Sequence, residues 1–315
     1  MLAIVFPGQG SQYVGMGWEF YDSFLKVKEF FLKSEEITGI KVRKLCFEGP
    51  IEELTLTENL QVCLTIVNIS IFEVLKEILG DRLTKTIAFT AGHSLGEFSA
   101  LYASSILDFE DTLRAVKKRG ELMAKVSPKE PSGMYAIINL PLKDLRDLVE
   151  QAKSLVVISN YNSPKQFVIS GLEPALTMVA DEAKRLGAKV VRLKVSAGFH
   201  SPLMEEAQGE FIDFLKDLNF RDPEIPFVSS VTAQAETQGG AIKDLIMRQI
   251  TSPVRWIDTI NYIYERGIGI FLEIGPKQVL KGLISQILQD RPHQIYNLEN
   301  LKDLQILREE VLTKI

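Results

Sequence analysis

The chain has 315 residues, of which 46% are hydrophobic and 24% charged, with a formal net charge of −5. That is apolar enough to bury a core and too apolar for a disordered chain, and an acidic balance excludes general affinity for nucleic acid, which needs a basic excess. Two cysteines, Cys46 and Cys63, exclude a disulfide framework and lack the spacing of a zinc site, so both are expected as small buried apolar residues.

The first element, "LAIVF" at 2–6, is an almost wholly apolar run that empties into "PGQGSQ", as expected of a parallel strand buried on both faces. With no basic region before it and a break at Pro7 and Gly8, it does not read as a secretory signal, and no 18-residue apolar stretch follows to span a bilayer. The expected location is the cytoplasm. A helical period follows over 19–36, with Phe20, Phe24, Val27 and Phe31 on one face. A long, mostly buried helix is expected over 54–80, ending at Gly80. A second short strand, "TIAFTA", leads into "GHSLGE", then a helix over 96–104 and another over 109–125.

Composition changes at the Pro- and Ser-rich 127–133, and the elements after it run strand, helix, strand, strand, helix, strand, the order of the ferredoxin-like split motif. The expected organisation is a large α/β hydrolase-like domain of 1–125 and 196–315, with parallel sheet and helices, interrupted by a small ferredoxin-like subdomain at 126–195. The last third reads as helical until "GIGIFLEIG", a buried strand before Pro276 opens a further helix.

Both loops that could hold a site lie at the carboxyl ends of strands, where α/β proteins gather ligands. Gly92-x-Ser94-x-Gly96 follows a strand and precedes a helix, the context of a nucleophile elbow, although a small residue in a tight turn would look the same. In "PGQGSQYVG" the dinucleotide-binding pattern fails at Tyr13 and the Gly-Lys pair of a nucleotide-binding loop is absent. What remains is a Gly-rich loop able to offer N–H groups to an oxyanion, or a packing turn.

A serine nucleophile needs a base, and the chain has three histidines. His93 is adjacent to Ser94, and neighbouring side chains leave a turn in different directions. His293 lies in the polar "DRPHQ", as a solvated surface histidine would. His200, in "SAGFHSPLM" at the junction of the two expected domains, is the best candidate.

Taken together, "FPGQGSQ", "GHSLGE", "RGELM", "NYNSPKQFVISG", "GFHSPLM", "RQITSPVRW" and "EIGPKQVLKGL" resemble, in order and across essentially the whole chain, the malonyl-CoA:acyl carrier protein transacylases. The departures are Gln61-Val62-Cys63 where Gln-Pro-Ala is usual, and Ser105 where a glycine is customary. The resemblance implies Ser94 as nucleophile, His200 as base, the backbone N–H groups of Gln9 and Leu95 as oxyanion hole, and a carbonyl near Gln249 orienting His200. It also implies that Arg119 binds the malonyl carboxylate bidentately, which a lysine would not do. Phe199, beside the base, stands where malonyl-selective relatives carry Phe, leaving little room for an extra methyl. The implied partners are malonyl-CoA and an acidic acyl carrier protein, with no nucleic acid, membrane, metal or redox cofactor. Lys184, Arg185, Lys189, Arg192, Lys277 and Lys281 are the candidates for docking the carrier. The alternatives are a serine thioesterase, an acyltransferase serving a polyketide synthase, and a scaffold with a dead site.

Overall fold

The structure is a computed structural model that describes residues 1–126 and 131–311; the first four residues of the 127–133 joint lie outside them. The strands are β1 (Leu2–Phe6), β2 (Ile87–Gly92), β3 (Ser132–Ile138), β4 (Val156–Ser163), β5 (Gln166–Leu172), β6 (Lys189–Arg192), β7 (Phe227–Val228), β8 (Ala235–Glu236), β9 (Ile270–Ile274) and β10 (Gln294–Leu298). They form two sheets.

The larger sheet has the order β10-β9-β1-β2-β7-β8, parallel throughout except for the β7–β8 pair. Every residue of β1 is buried, because it lies between β2 and β9 with a hydrophobic cluster on each face. That is why an unbroken apolar run, with no alternation, makes this strand. The smaller sheet has the order β4-β5-β3-β6, antiparallel at every pairing. One of its faces is covered by the helices Leu142–Gln151 and Ala175–Arg185, whose apolar residues join Ile137, Phe167 and Ile169 in a third core. The other face lines a cleft against the larger sheet.

Helix Thr57–Leu79 is buried almost along its whole length and packs on helix Phe109–Val126. The close approach needs Gly120, where a Cβ would sit 3.0 Å from both Glu58 Cα and Thr57 O. Gly80 ends the first of these helices with φ 50°.

Three elements differ from expectation. The helix expected over 19–36 is two, Trp18–Ser23 and Leu25–Thr38, separated by an extended Phe24. Asp22 and Ser23 end the first, as side chains that compete for backbone groups tend to do, and the extended Phe24 still stacks its ring on Phe20. The long helix is likewise preceded by a separate turn, Ile51–Thr55, with Leu56 extended between them. The helix expected to open at Pro276 begins at Val279. Lys277 takes φ 64°, and the helix start is closed from elsewhere: buried Glu273 on β9 accepts from the N–H groups of Leu280 and Lys281. Strands β7, β8 and β10 were not expected. The first two have two residues each, too short for a period, and β10 is a mixed-polarity edge strand.

Candidate active site

Ser94 sits in a turn between β2 and helix Gly96–Ala103, with φ 52°, in the left-handed region that non-glycine residues seldom occupy. Both flanking glycines are required by space. A Cβ at Gly92 would fall 2.0 Å from Gly96 C, and one at Gly96 would fall 2.1 Å from Phe6 O. The turn is therefore jammed against the end of β1 and aims the serine outward at the end of the sheet.

His200 Nε2 lies 2.6 Å from Ser94 Oγ. Its other nitrogen, Nδ1, faces two carbonyl oxygens, of Ser252 at 2.9 Å and Gln249 at 3.1 Å. Carbonyls only accept, so Nδ1 carries the proton, Nε2 is bare, and the serine hydroxyl donates to it. Burial, reinforced by the charge of Arg119, holds the imidazole down to about 3, so the ring is neutral at physiological pH. His200 too has a left-handed backbone, φ 54°. His93 points elsewhere: its Nε2 meets Asn162 Oδ1 at 2.8 Å and its ring packs edge-on to Trp256. His293, by contrast, binds its neighbour Arg291 O through Nδ1 in the loop before β10.

Arg119 projects from helix Phe109–Val126 and is 1% exposed. Its Nε donates to Gln249 Oε1 (3.2 Å), Nη1 to Gln61 Oε1 (2.9 Å) and Nη2 to Ser94 Oγ (3.3 Å). Below it, Glu97 is fully buried and accepts from the Ser230 N–H at 2.6 Å and from Gln249 Nε2. Burial raises the Glu97 carboxyl to about 7 against the pull of those bonds, and burial lowers Arg119 to about 10.

These groups border a cleft of about 190 Å³, lined also by Gln9, Leu95, Phe199, Asn160, Asn162, Gln166, Leu193 and Val279. Neither the Gln9 nor the Leu95 backbone N–H has an acceptor among the described residues. Ser94, His200, Arg119, Gln9, Leu95, Gln249 and Phe199 thus meet in one place. The basic candidates are dispersed. Lys277 and Lys281 flank the cleft-lining Val279 and Leu280, with Lys277 Nζ reaching Gly10 O. Lys189 is exposed and pairs with Ile138 at the end of the cleft-facing sheet. Arg192 turns to Tyr135 and Glu173. Lys184 and Arg185 end helix Ala175–Arg185, and Arg185 borders a separate concavity between two helices.

Sequence reasoning missed Glu97, Ser252 and the role of Gln61, whose context read as helix core. The pair Gln61 and Arg119 is separated by 58 positions and Glu97 and Gln249 by 152.

The acyl transferase domain family matches residues 3–307. The chain is 40% identical over 290 residues to the malonyl CoA-acyl carrier protein transacylase of Bacillus subtilis (strain 168), covering 91% of this chain and 90% of that one. It is 37% identical to that of Haemophilus influenzae, covering 91% and 92%. Among solved structures, an acyl carrier protein S-malonyltransferase from Vibrio cholerae superposes with a TM-score of 0.91 at 34% identity, covering 97% of this chain and 99% of that one. A malonyl-transacylase solved in complex with a type II PKS acyl-carrier protein gives the same score and identity, covering 97% and 98%. The chain belongs to the acyl transferase domain family and, within it, to the malonyl CoA-acyl carrier protein transacylases.

Proposed function

We propose that the chain moves a malonyl group from malonyl-CoA, through an ester on Ser94, to the phosphopantetheine thiol of acyl carrier protein in fatty acid biosynthesis. The observation that carries the reading is a buried guanidinium with Nη2 3.3 Å from the Ser94 Oγ that also meets His200 at 2.6 Å. A carboxylate-bearing acyl group that pairs with Arg119 has its thioester carbonyl at the nucleophile.

In that reaction Ser94 attacks the thioester carbon while its proton passes to His200 Nε2. The tetrahedral oxyanion is held by the N–H groups of Gln9 and Leu95, the second at the amino end of helix Gly96–Ala103. Collapse expels the CoA thiolate, which takes the proton from His200. The carrier thiol then enters, gives its proton to His200 and attacks the malonyl-serine ester, and the serine oxygen leaves reprotonated. The carbonyls of Gln249 and Ser252 keep the ring in one tautomer throughout and do the orienting that a carboxylate does in other sites.

Residues 1–125 with 196–315 serve as the catalytic domain and 126–195 as the subdomain that closes the cleft. Phe199 bounds the acyl pocket, and Lys189, Lys277 and Lys281 are the basic residues best placed to meet an acidic carrier. Among the described residues no helix is long and apolar enough to cross a membrane, which agrees with a cytoplasmic site of action. The similarity to a malonyl-transacylase solved with a type II PKS carrier favours one second reading, service to a polyketide carrier. Labelled malonyl-CoA should leave label on Ser94, and the label should move to fatty-acid-type holo carrier faster than to a polyketide-type carrier. Release of malonate to water before carrier acquires it would establish a thioesterase instead.

A further inference from the structure

The Glu97 carboxylate has two acceptors and both are used, by the Ser230 N–H and by Gln249 Nε2. The second proton on Gln249 Nε2 goes to Ser94 O at 2.8 Å. With both amide protons committed, the Gln249 side chain has one permitted orientation, and its oxygen must face Arg119 Nε. Arg119 carries five N–H donors. Its partners among the described residues are Gln249 Oε1, Gln61 Oε1 and Ser94 Oγ, and none is a carboxylate. A guanidinium that is 1% exposed still needs a counter-charge. Glu97, 0% exposed and one amide away, is the acid that acts on it.

We propose that Glu97 is a positioning residue for substrate selection: through the Gln249 amide it balances and aims the Arg119 guanidinium, while leaving that guanidinium's outer donors free for the carboxylate of the incoming acyl group. A direct Glu–Arg pair would occupy the fork that the substrate needs. Interposing a neutral amide keeps the charge balance and frees the donors. Glutamine at 97 cannot replace the acid, because one end of its amide would present N–H to another N–H, either of Gln249 or of Ser230.

This inference rests on the malonyl-transfer reading, and the test separates the two. Ser94 acylation is measured with malonyl-CoA and acetyl-CoA in the parent and in Glu97→Gln. Failure of the parent to load malonyl overturns the functional reading itself. With the parent active, Glu97→Gln should lower malonyl kcat/KM about tenfold, mainly through KM, and change acetyl kcat/KM less than about threefold. A parallel fall with both substrates would make Glu97 a structural residue only and overturn the proposal, as would an unchanged ratio. Should Glu97→Gln not fold, the charge-conserving exchange Glu97→Gln with Gln249→Glu puts a carboxylate directly on Arg119. Its malonyl-to-acetyl ratio should fall likewise, and a parental ratio would overturn the proposal.

Discussion

On one side of the cleft, Ser94 stands on a turn that admits no Cβ at Gly92 or Gly96, and Arg119, Gln249 and Glu97 interlock beneath it with almost no exposure. On the other side, the open face of the smaller sheet offers Ala136, Gln166, Val168 and Leu193, with Val191 40% exposed beside them. The first wall is over-determined: its polar atoms share partners, Gln249 Nε2 serving both Ser94 O and Glu97, and Ser94 Oγ meeting both His200 and Arg119, so a change of one group displaces several. The second is a surface of small and apolar side chains, held to the first by backbone bonds between Ser159, Tyr161 and Val254 and by the Ser163–Gln286 contact. Chemistry asks for fixed geometry at about hydrogen-bond precision, and the first wall is built to that standard.

If that division holds, substitutions in the first wall should act on chemistry and on recognition of the acyl carboxylate, and substitutions elsewhere in the cleft on acyl size or on the partner. The largest effect is expected at the dyad. Ser94→Ala should abolish acyl-enzyme formation, and His200→Ala should slow it by about 10⁴-fold or more with the fold intact, since the two act as one unit. Mass spectrometry of the loaded protein and circular dichroism check this, and near-native turnover in either variant would break the comparison at its root.

Next is Arg119→Ala, which should strand the malonate carboxylate in a desolvated site at a cost of about 2–5 kcal/mol while acetyl loses nothing comparable. Competition between malonyl-CoA and acetyl-CoA should show the ratio shifting toward acetyl, and an unchanged ratio would mean that the carboxylate binds elsewhere. Phe199→Ser concerns one methyl group, worth about 10 to 200-fold at most. It should raise methylmalonyl-CoA relative to malonyl-CoA without loss of Ser94 acylation. Parallel loss of both substrates would assign Phe199 to supporting His200 instead.

Smaller still is the effect expected at the residues proposed to dock the carrier. Charge reversal at Lys189 or Lys281 should raise carrier KM a few-fold, leave malonyl loading alone, and weaken the salt dependence of transfer. If both leave carrier kinetics untouched, the docking face lies away from Lys189 and Lys281. The smallest effect is an absence of change with pH. His200 is held below its ordinary value of about 6.5, to about 3, so its bare form persists as pH falls through 6.5. Loading by a neutral acyl-CoA, which makes no demand on Arg119, should therefore stay level from about pH 8 to about pH 5, and an acid limb near 6.5 would show the ring to be more solvated than the structure has it.

Much of the first wall was legible in the sequence because its parts are local: an apolar run, a Gly-x-Ser-x-Gly turn, a histidine in a Gly- and Pro-bounded loop. The βαββαβ order of the smaller sheet was legible for the same reason, each element having its own period. What escaped is what joins distant segments. Glu97 looks like any first-turn acid of a helix, and only the fold shows it buried against Ser230 and Gln249. The break at Phe24 and the closure of a helix start by Glu273 are tertiary outcomes that no window of neighbouring residues contains. The glycine customary at position 105 is explained by backbone geometry, since Ser105 takes φ 63° just past the end of helix Gly96–Ala103, a terminus that favours glycine; nothing in the structure explains the serine.

The place of β1 has a consequence for how the protein is made. Leu2–Phe6 is synthesised long before one of its two partners, Ile270–Ile274. At ordinary elongation rates the gap is roughly 10–50 s. Throughout that time the Ala3 and Val5 face, which ends up against Phe271, has no finished cluster to enter, and the strand has an open edge. Until β9 is made, the nascent chain therefore carries a wholly apolar strand with β2 available on one edge and the other edge open, a ready client for a holding chaperone.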